Sequence, residues 1–309
     1  MENLDHVVQF LRCEQAAKAP ATVRNRLRAL ERYDRWLSGR DGTTGATATK
    51  LDLAEYVADL REHYPPAHVN IHVSALRVYY RWLADIEARR DNPAHGLRYL
   101  AAQSRPTASL ASDEVHALLR FASRARAARF GTHRAAVLVL VLVDSGMRIG
   151  EALRLRMMDV NLLENHILIT ATKTRSVRLA PISPTLRPHL LAYLKRRSEH
   201  LRARHLGDCG ALFVSEQGCP WPVNGAERGC RTVASLAGLT RRLHPHLLRH
   251  TWATLSLING APMPAVMMLG GWRKLATVQR YTQMSARQLA DVQASSSPLG
   301  RASQLRLIA

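Results

Sequence analysis

Little in this chain is available to cross-link it, to span a membrane or to hold a metal. Cysteine occurs four times, at Cys13, Cys209, Cys219 and Cys230, and the last three are spaced by ten and eleven with no C-x-x-C pair. Neither a zinc ribbon nor a zinc finger fits that spacing, so free thiols in a reducing compartment are expected. The longest apolar run, Ala135 to Val143, stops at Asp144, far short of the roughly 18–20 residues that cross a bilayer. The opening stretch MENLDHVVQF has no basic segment followed by an apolar core and a small-residue cleavage site, and no secretory signal is expected. The expectation is a soluble, cytoplasmic chain with no membrane partner.

Acidic residues and lysine are the other shortages. The chain has 44 Lys+Arg against 24 Asp+Glu, a net charge of +20, and only five of the basic residues are lysines. The shortage of acid is uneven: residues 1–105 carry 16 basic and 13 acidic side chains, net +3, whereas residues 106–309 carry 28 and 11, net +17. A biased genome accounts for arginine over lysine, but not for acids missing after residue 105. With 47% hydrophobic residues in 309, disorder and coiled coil are poor overall readings and two cored domains are expected. The charge points to a polyanionic partner. Nucleic acid leads, because no basic amphipathic helix stands apart to suit an acidic membrane surface.

Hydrophobic spacing predicts helices through the first hundred residues. Val23, Leu27, Leu30, Tyr33, Trp36 and Leu37 recur at helical intervals over 22–37, with Thr22 as a plausible cap. A Gly/Thr loop follows, then helices over 51–63, stopped by Pro65 and Pro66, and over 69–88, stopped before Asn92 and Pro93. Residues 101–109 read as a linker. Ser112 is expected to cap the next helix, with Asp113 and Glu114 complementing its dipole. Ala135 to Val143 is apolar on every side, which suits a buried helix. Residues 166–182 (HILITATKTRSVRLAPI) place two β-rich runs around a polar turn, a predicted hairpin. Helices are expected from 184–199 onward to about Leu289, and 293–309 as a mobile tail. The fold class is therefore mainly α with a small β-hairpin or sheet (α+β).

Four segments carry candidate chemistry. In SGMRIGEALRL, Arg148 and Glu151 stand three apart, which also describes an ordinary surface pair. The hairpin turn holds Lys173 and Arg175, with Arg178 on its second strand; basic residues there are commonly just solvated. In PHLLRHTWAT, His246 and Arg249 leave one face of a helix beginning near Pro245. A metal site from His244, His246 and His250 lacks a flanking carboxylate and is disfavoured. In LGGWRKLATVQRYTQMS, Trp272 and Tyr281 are nine apart, a spacing also shared by core aromatics.

Taken together and in this order, the four segments resemble the tyrosine recombinase, or phage integrase, family. That family has an Arg in a T/S-G-[LM]-R-x-x-E box, a Lys in a β-hairpin, an H-x-x-R box, and a His or Trp followed nine residues later by a Tyr. Arg148, Lys173, His246, Arg249, Trp272 and Tyr281 match those places. Two departures stand out: LGGW replaces the usual L-G-H, putting Trp272 in the His place, and the hairpin has Thr172 and Thr174 where glycines usually flank the Lys. The ending RLAPI (Arg178 to Ile182) resembles the family's R-L-V-P-L and counts back to Lys173, with Arg175 as the fallback.

The resemblance implies a helical core-binding, SAM-like DNA-binding domain (1–100), the linker (101–109), a catalytic domain (110–292) and the tail (293–309), forming a C-shaped clamp on DNA. It implies a site-specific recombinase acting through a 3′-phosphotyrosine and a Holliday junction, without metal, ATP or other cofactor. Integration, excision and resolution are the processes it serves. Double-stranded recombination sites and a homotetramer on two duplexes are the implied partners, along with a partner recombinase or an accessory DNA-bending protein. Tyr281 would be the nucleophile, Arg148 and Arg249 the grip on the phosphate, Lys173 the acid for the leaving 5′-oxygen. His246 would share the tyrosine proton, Trp272 would donate to the phosphate, and Glu151 would orient Arg148 or His246 from behind. A type IB topoisomerase, or a DNA-binding protein that kept the fold without the reaction, are the alternatives.

Overall fold

The computed structural model describes residues 2–40, 43–101, 109–170, 177–272 and 274–275. The chain parts into two compact units, Met1–Arg105 and Pro106–Ala309. In the first unit the described residues form α1 (Glu2–Ala17), α2 (Pro20–Ser38), α3 (Lys50–His63) and α4 (Pro66–Asp85). Leu30, Tyr33 and Leu37 of α2 meet Phe10 of α1, Tyr56 and Leu60 of α3, and Val73, Tyr79 and Tyr80 of α4 in one core. The buried phenols of Tyr33 and Tyr80 pair at 2.9 Å, and that of Tyr56 pairs with His72 Nδ1 at 2.9 Å. Burial lowers the His72 imidazole to about 4, which keeps it neutral in this core.

Several boundaries differ from the sequence expectation. Helix α1 lies within the stretch expected to be helical, but no separate helix was delimited there. Helix α2 starts at Pro20 after Ala19, so Thr22 lies inside its first turn rather than capping it. Proline fits that turn because its missing N–H has no partner there anyway. The same reason makes Pro66 open α4 three residues before Val69, while α4 ends at Asp85 rather than Ala88, where Glu87 turns to φ 58°.

In the second unit the described elements are α5 (Ser112–Ala125), α6 (Phe130–Ser145), α7 (Ile149–Ala152), a 3₁₀ turn (Met157–Asp159), β1 (Val160–Asn161), β2 (His166–Thr170) and β3 (Val177–Pro181). They continue as α8 (Arg187–Ala203), α9 (Val223–Leu236), α10 (Pro245–Ile258) and α11 (Met263–Gly270). The sheet is antiparallel in the order β1-β2-β3, pairing Ile167 with Ala180 and Ile169 with Arg178. Helix α6, buried on all sides from His133 to Leu142, is the centre around which α5, α8, α9 and α10 pack. Ser112 is not the cap of α5: Ala111 is, and its amide donates to Glu114 Oε2 at 2.8 Å. The helical run expected after the hairpin is broken by residues 204–222, where Val214 and Pro220 form an isolated antiparallel bridge. All four cysteines are free thiols. Among the described residues no helix is long and apolar enough to cross a membrane.

Candidate active site

The site is built at the C-terminal end of α6. Gly146 closes that helix in the left-handed region (φ 61°), its amide bonding Leu142 O at 3.1 Å. A Cβ there would lie 2.0 Å from the Trp252 ring, so the glycine of this box serves both backbone and packing. Two residues on, Arg148 occupies the cap position of α7. Its amide donates to Glu151 Oε2 and its Nη1 to Glu151 Oε1, each at 2.9 Å. The Glu151 side chain is 5% exposed and that of Arg148 48%. The carboxylate thus sits beneath, and the guanidinium stands out toward solvent.

A second arginine closes on Glu151 from the sheet. Arg178 of β3 donates Nη2 to Oε2 at 2.6 Å and Nη1 to Oε1 at 3.3 Å, while its Nε bonds Leu269 O at 2.9 Å. Burial by itself would raise the Glu151 carboxyl. The hydrogen bonds from Arg178 and from the Arg148 amide, and the charge of Arg178, overcome it and hold the group at about 2. Glu151 is therefore held as a carboxylate shared by two guanidiniums.

Helix α10 supplies the third arginine. His244 caps it, its Nδ1 accepting from the Leu247 amide at 3.2 Å. Arg249, one turn in, is 5% exposed and donates Nη1 to Gly146 O and Nη2 to Gly270 O, both at 2.6 Å. It therefore joins the glycine two residues before Arg148 to the end of α11. Its guanidinium lies over the Trp272 ring, 4.2 Å from the centroid, and Trp272 stacks in turn on Trp252 at 5.9 Å. Gly270 and Gly271 make that fold-back possible. A Cβ at 270 would come within 2.4 Å of the Trp272 ring, and Gly271 is left-handed (φ 66°). His246 is on α10 as expected, exposed where Arg249 is buried. His250 pairs with Thr254 Oγ1 at 3.0 Å. Among the described residues no cluster of three or more His, Cys, Asp or Glu is placed to hold a metal.

Arg148, Glu151, Arg249 and Trp272 thus gather at one locus from three separated boxes. Lys173 and its fallback Arg175, Tyr281, and the tail 293–309 lie outside the described residues, as does 102–108 of the linker. Sequence reasoning placed Arg178 on the second strand but gave it no task. Its only signal was the RLAPI ending, because its partners lie 27 and 91 residues away.

Comparison with known proteins decides the family. The model of the phage integrase family matches residues 108–288, and that of the phage integrase N-terminal SAM-like domain matches residues 7–86. The chain belongs to the phage integrase family of tyrosine recombinases. A tyrosine recombinase XerC of Listeria monocytogenes serotype 4a (strain HCC23) is 30% identical over 258 residues, 83% of this chain and 85% of its own. Among solved structures, the XerH site-specific recombinase bound to difH substrate matches with a TM-score of 0.71 at 18% identity, covering 94% of each chain. A lambda integrase tetramer bound to a Holliday junction matches at 0.67 and 14% identity, covering 90% of this chain and 76% of its own. Family membership makes this recombinase a DNA strand-transferring enzyme of site-specific recombination. It also agrees with the mainly helical fold and its small sheet.

Proposed function

We propose that the recombinase breaks and rejoins double-stranded DNA through Tyr281, with Arg148 and Arg249 gripping the scissile phosphate. The observation that carries this reading is the bond from Arg249 to Gly146 O. It brings the arginines of two distant boxes to one end of α6, next to a Trp whose indole N–H is a donor. Strand exchange without an external energy source requires the phosphodiester energy to be kept in a covalent bond. The Tyr281 phenol oxygen bonds to phosphorus, the bond from phosphorus to the 5′-oxygen breaks, and that oxygen leaves as a hydroxyl. The phenol, with a pKa of about 10, is protonated at neutral pH and must lose its proton as it attacks.

His246 takes or shares that proton, and Lys173 protonates the leaving 5′-oxygen. Two planar guanidiniums stabilise the non-bridging oxygens in a way a lysine pair cannot match. Trp272 donates to the phosphate, and Glu151 holds Arg148 from beneath. No metal or other cofactor takes part in this scheme. By analogy with the lambda integrase tetramer on a Holliday junction, four copies act on two sites, alone or with a partner recombinase or a DNA-bending protein. Residues 1–100 bind DNA as the core-binding domain, 101–109 link, 110–292 catalyse and 293–309 form the tail, in a cytoplasmic enzyme.

The test is covalent capture. Wild-type protein incubated with a library of nicked duplexes carrying randomised inverted repeats is expected to form a protein–DNA adduct, and the captured DNA identifies the site. Tyr281→Phe should abolish the adduct on that site. An undiminished adduct in that variant sinks the assignment of the nucleophile, and relaxation of plasmid lacking the site would favour the topoisomerase outcome.

A further inference from the structure

The guanidinium of Arg178 addresses two different elements at once. Two of its N–H groups fork onto the buried Glu151 carboxylate of α7, and Nε binds the Leu269 carbonyl at the end of α11. Glu151 in turn holds both the amide and the guanidinium of Arg148. Gly271 lies against the same guanidinium: a Cβ there would come within 3.2 to 3.4 Å of Arg178 Nη1, Cζ and Nε. The Arg178 side chain is 13% exposed, against 48% for Arg148. Arg178 thus stands behind the site and not at its mouth.

We propose that Arg178 is a positioning residue for strand cleavage. It fixes the Glu151 carboxylate so that Arg148 presents its guanidinium to the phosphate, and it ties that arm to the Leu269–Trp272 turn. The proposal rests on the reading of Arg148 as a phosphate-binding group. A planar fork is needed, because one charge must meet a carboxylate and a carbonyl in one plane. Lysine, with a compact ammonium, does not reproduce this.

The electrostatics point the same way. Among the described residues, the charged groups bonded to Glu151 are Arg148 on its own turn and Arg178 from β3. From α11 the Leu269 carbonyl faces Arg178, and α10 sends Arg249 to the carbonyls of Gly146 and Gly270. With Arg178 neutralised, its hydrogen bonds and charge no longer oppose burial and the carboxyl rises. Protonated Glu151 would then release Arg148.

The experiment compares wild type, Arg148→Ala, Arg178→Lys, Arg178→Gln, Glu151→Gln and the double variant Arg178→Gln/Glu151→Gln. Single-turnover adduct formation is measured on the captured nicked duplex, with DNA affinity and thermal melting measured alongside. Arg178→Gln is expected to bind DNA like wild type but to cleave about tenfold or more slowly, and Arg178→Lys is expected not to restore the rate. The cleavage ratio of Arg178→Gln to wild type should fall further as pH drops from about 8 to about 5, and in the double variant that pH dependence should disappear. The proposal is overturned if a folded Arg178→Lys cleaves like wild type. It is also overturned if the rate ratio of Arg178→Gln is independent of pH, the mark of a merely structural bridge. If Arg148→Ala cleaves normally, the reading of the site fails first. If Arg148→Ala is inactive while Arg178→Gln cleaves normally, only the role of Arg178 fails.

Discussion

Glu151 is the residue on which the site turns. Its folded carboxyl is held at about 2 against an ordinary value of 4.5. A depressed carboxyl contributes stability that is present above the unfolded value and is lost as pH falls through the folded one. The gap in melting temperature between wild type and Glu151→Gln should therefore stay constant from neutral pH down to about 5.5, then narrow as pH approaches the folded value. A gap that already changes between about pH 8 and 6 would contradict the double guanidinium clasp. Arg148 and Glu151 were legible in the sequence because a spacing of three on one turn puts them in reach. Arg178 was not. No local period connects a strand residue to a carboxylate 27 positions back and a carbonyl 91 positions ahead. Gly146 was legible as part of a box, but its reason, a left-handed cap pressed against the Trp252 ring, is tertiary.

At the scale of elements, long periodic segments were readable and their ends were not. Helix α6 announced itself by being apolar on every side, and β2 and β3 by two apolar, β-rich runs about a polar turn. The starts of α2 and α5 were misplaced because Ser and Thr are common caps, whereas this chain uses Pro20 in one place and Glu114 reaching back to the Ala111 amide in the other. Helix α3 has the reciprocal arrangement in full: the Asp52 amide donates to Thr49 Oγ1 at 3.3 Å, and the Thr49 amide donates to Asp52 Oδ2 at 2.8 Å. Thr49→Ala should thus cost about 1 kcal/mol of stability in denaturant melts, and Thr49→Ser much less. Equal losses in the two variants would show that the methyl group, not the cap, matters. The two-residue β1 is shorter than any periodic signal, and it exists only because β2 offers it an edge.

For the whole molecule, the formal charge overstates what a phosphate backbone can meet. Residues 106–309 carry +17, yet much of that arginine is committed inside the protein. Arg197, 1% exposed, grips Asp208 at 2.8 and 2.5 Å and bonds Ala211 O as well. Arg134 lies over the Trp221 ring at 4.1 Å and bonds Val214 O at 2.5 Å, and Arg178 is held on Glu151. Each neutralised phosphate adds about −0.9 to the slope of log affinity against log salt, so seventeen would give about −15. The measured slope for the full chain on random duplex should fall well short of that. Arg197→Ala should leave the slope unchanged and lower the melting temperature, because it strands the buried Ala211 carbonyl without removing a DNA contact. Arg148→Ala should reduce the slope by about one unit, and it should also lower the melting temperature, because the buried Glu151 carboxylate loses one of its two guanidinium partners. A slope that ignores Arg148 would place its guanidinium away from the DNA, and the phosphate-gripping role would have to pass to another residue.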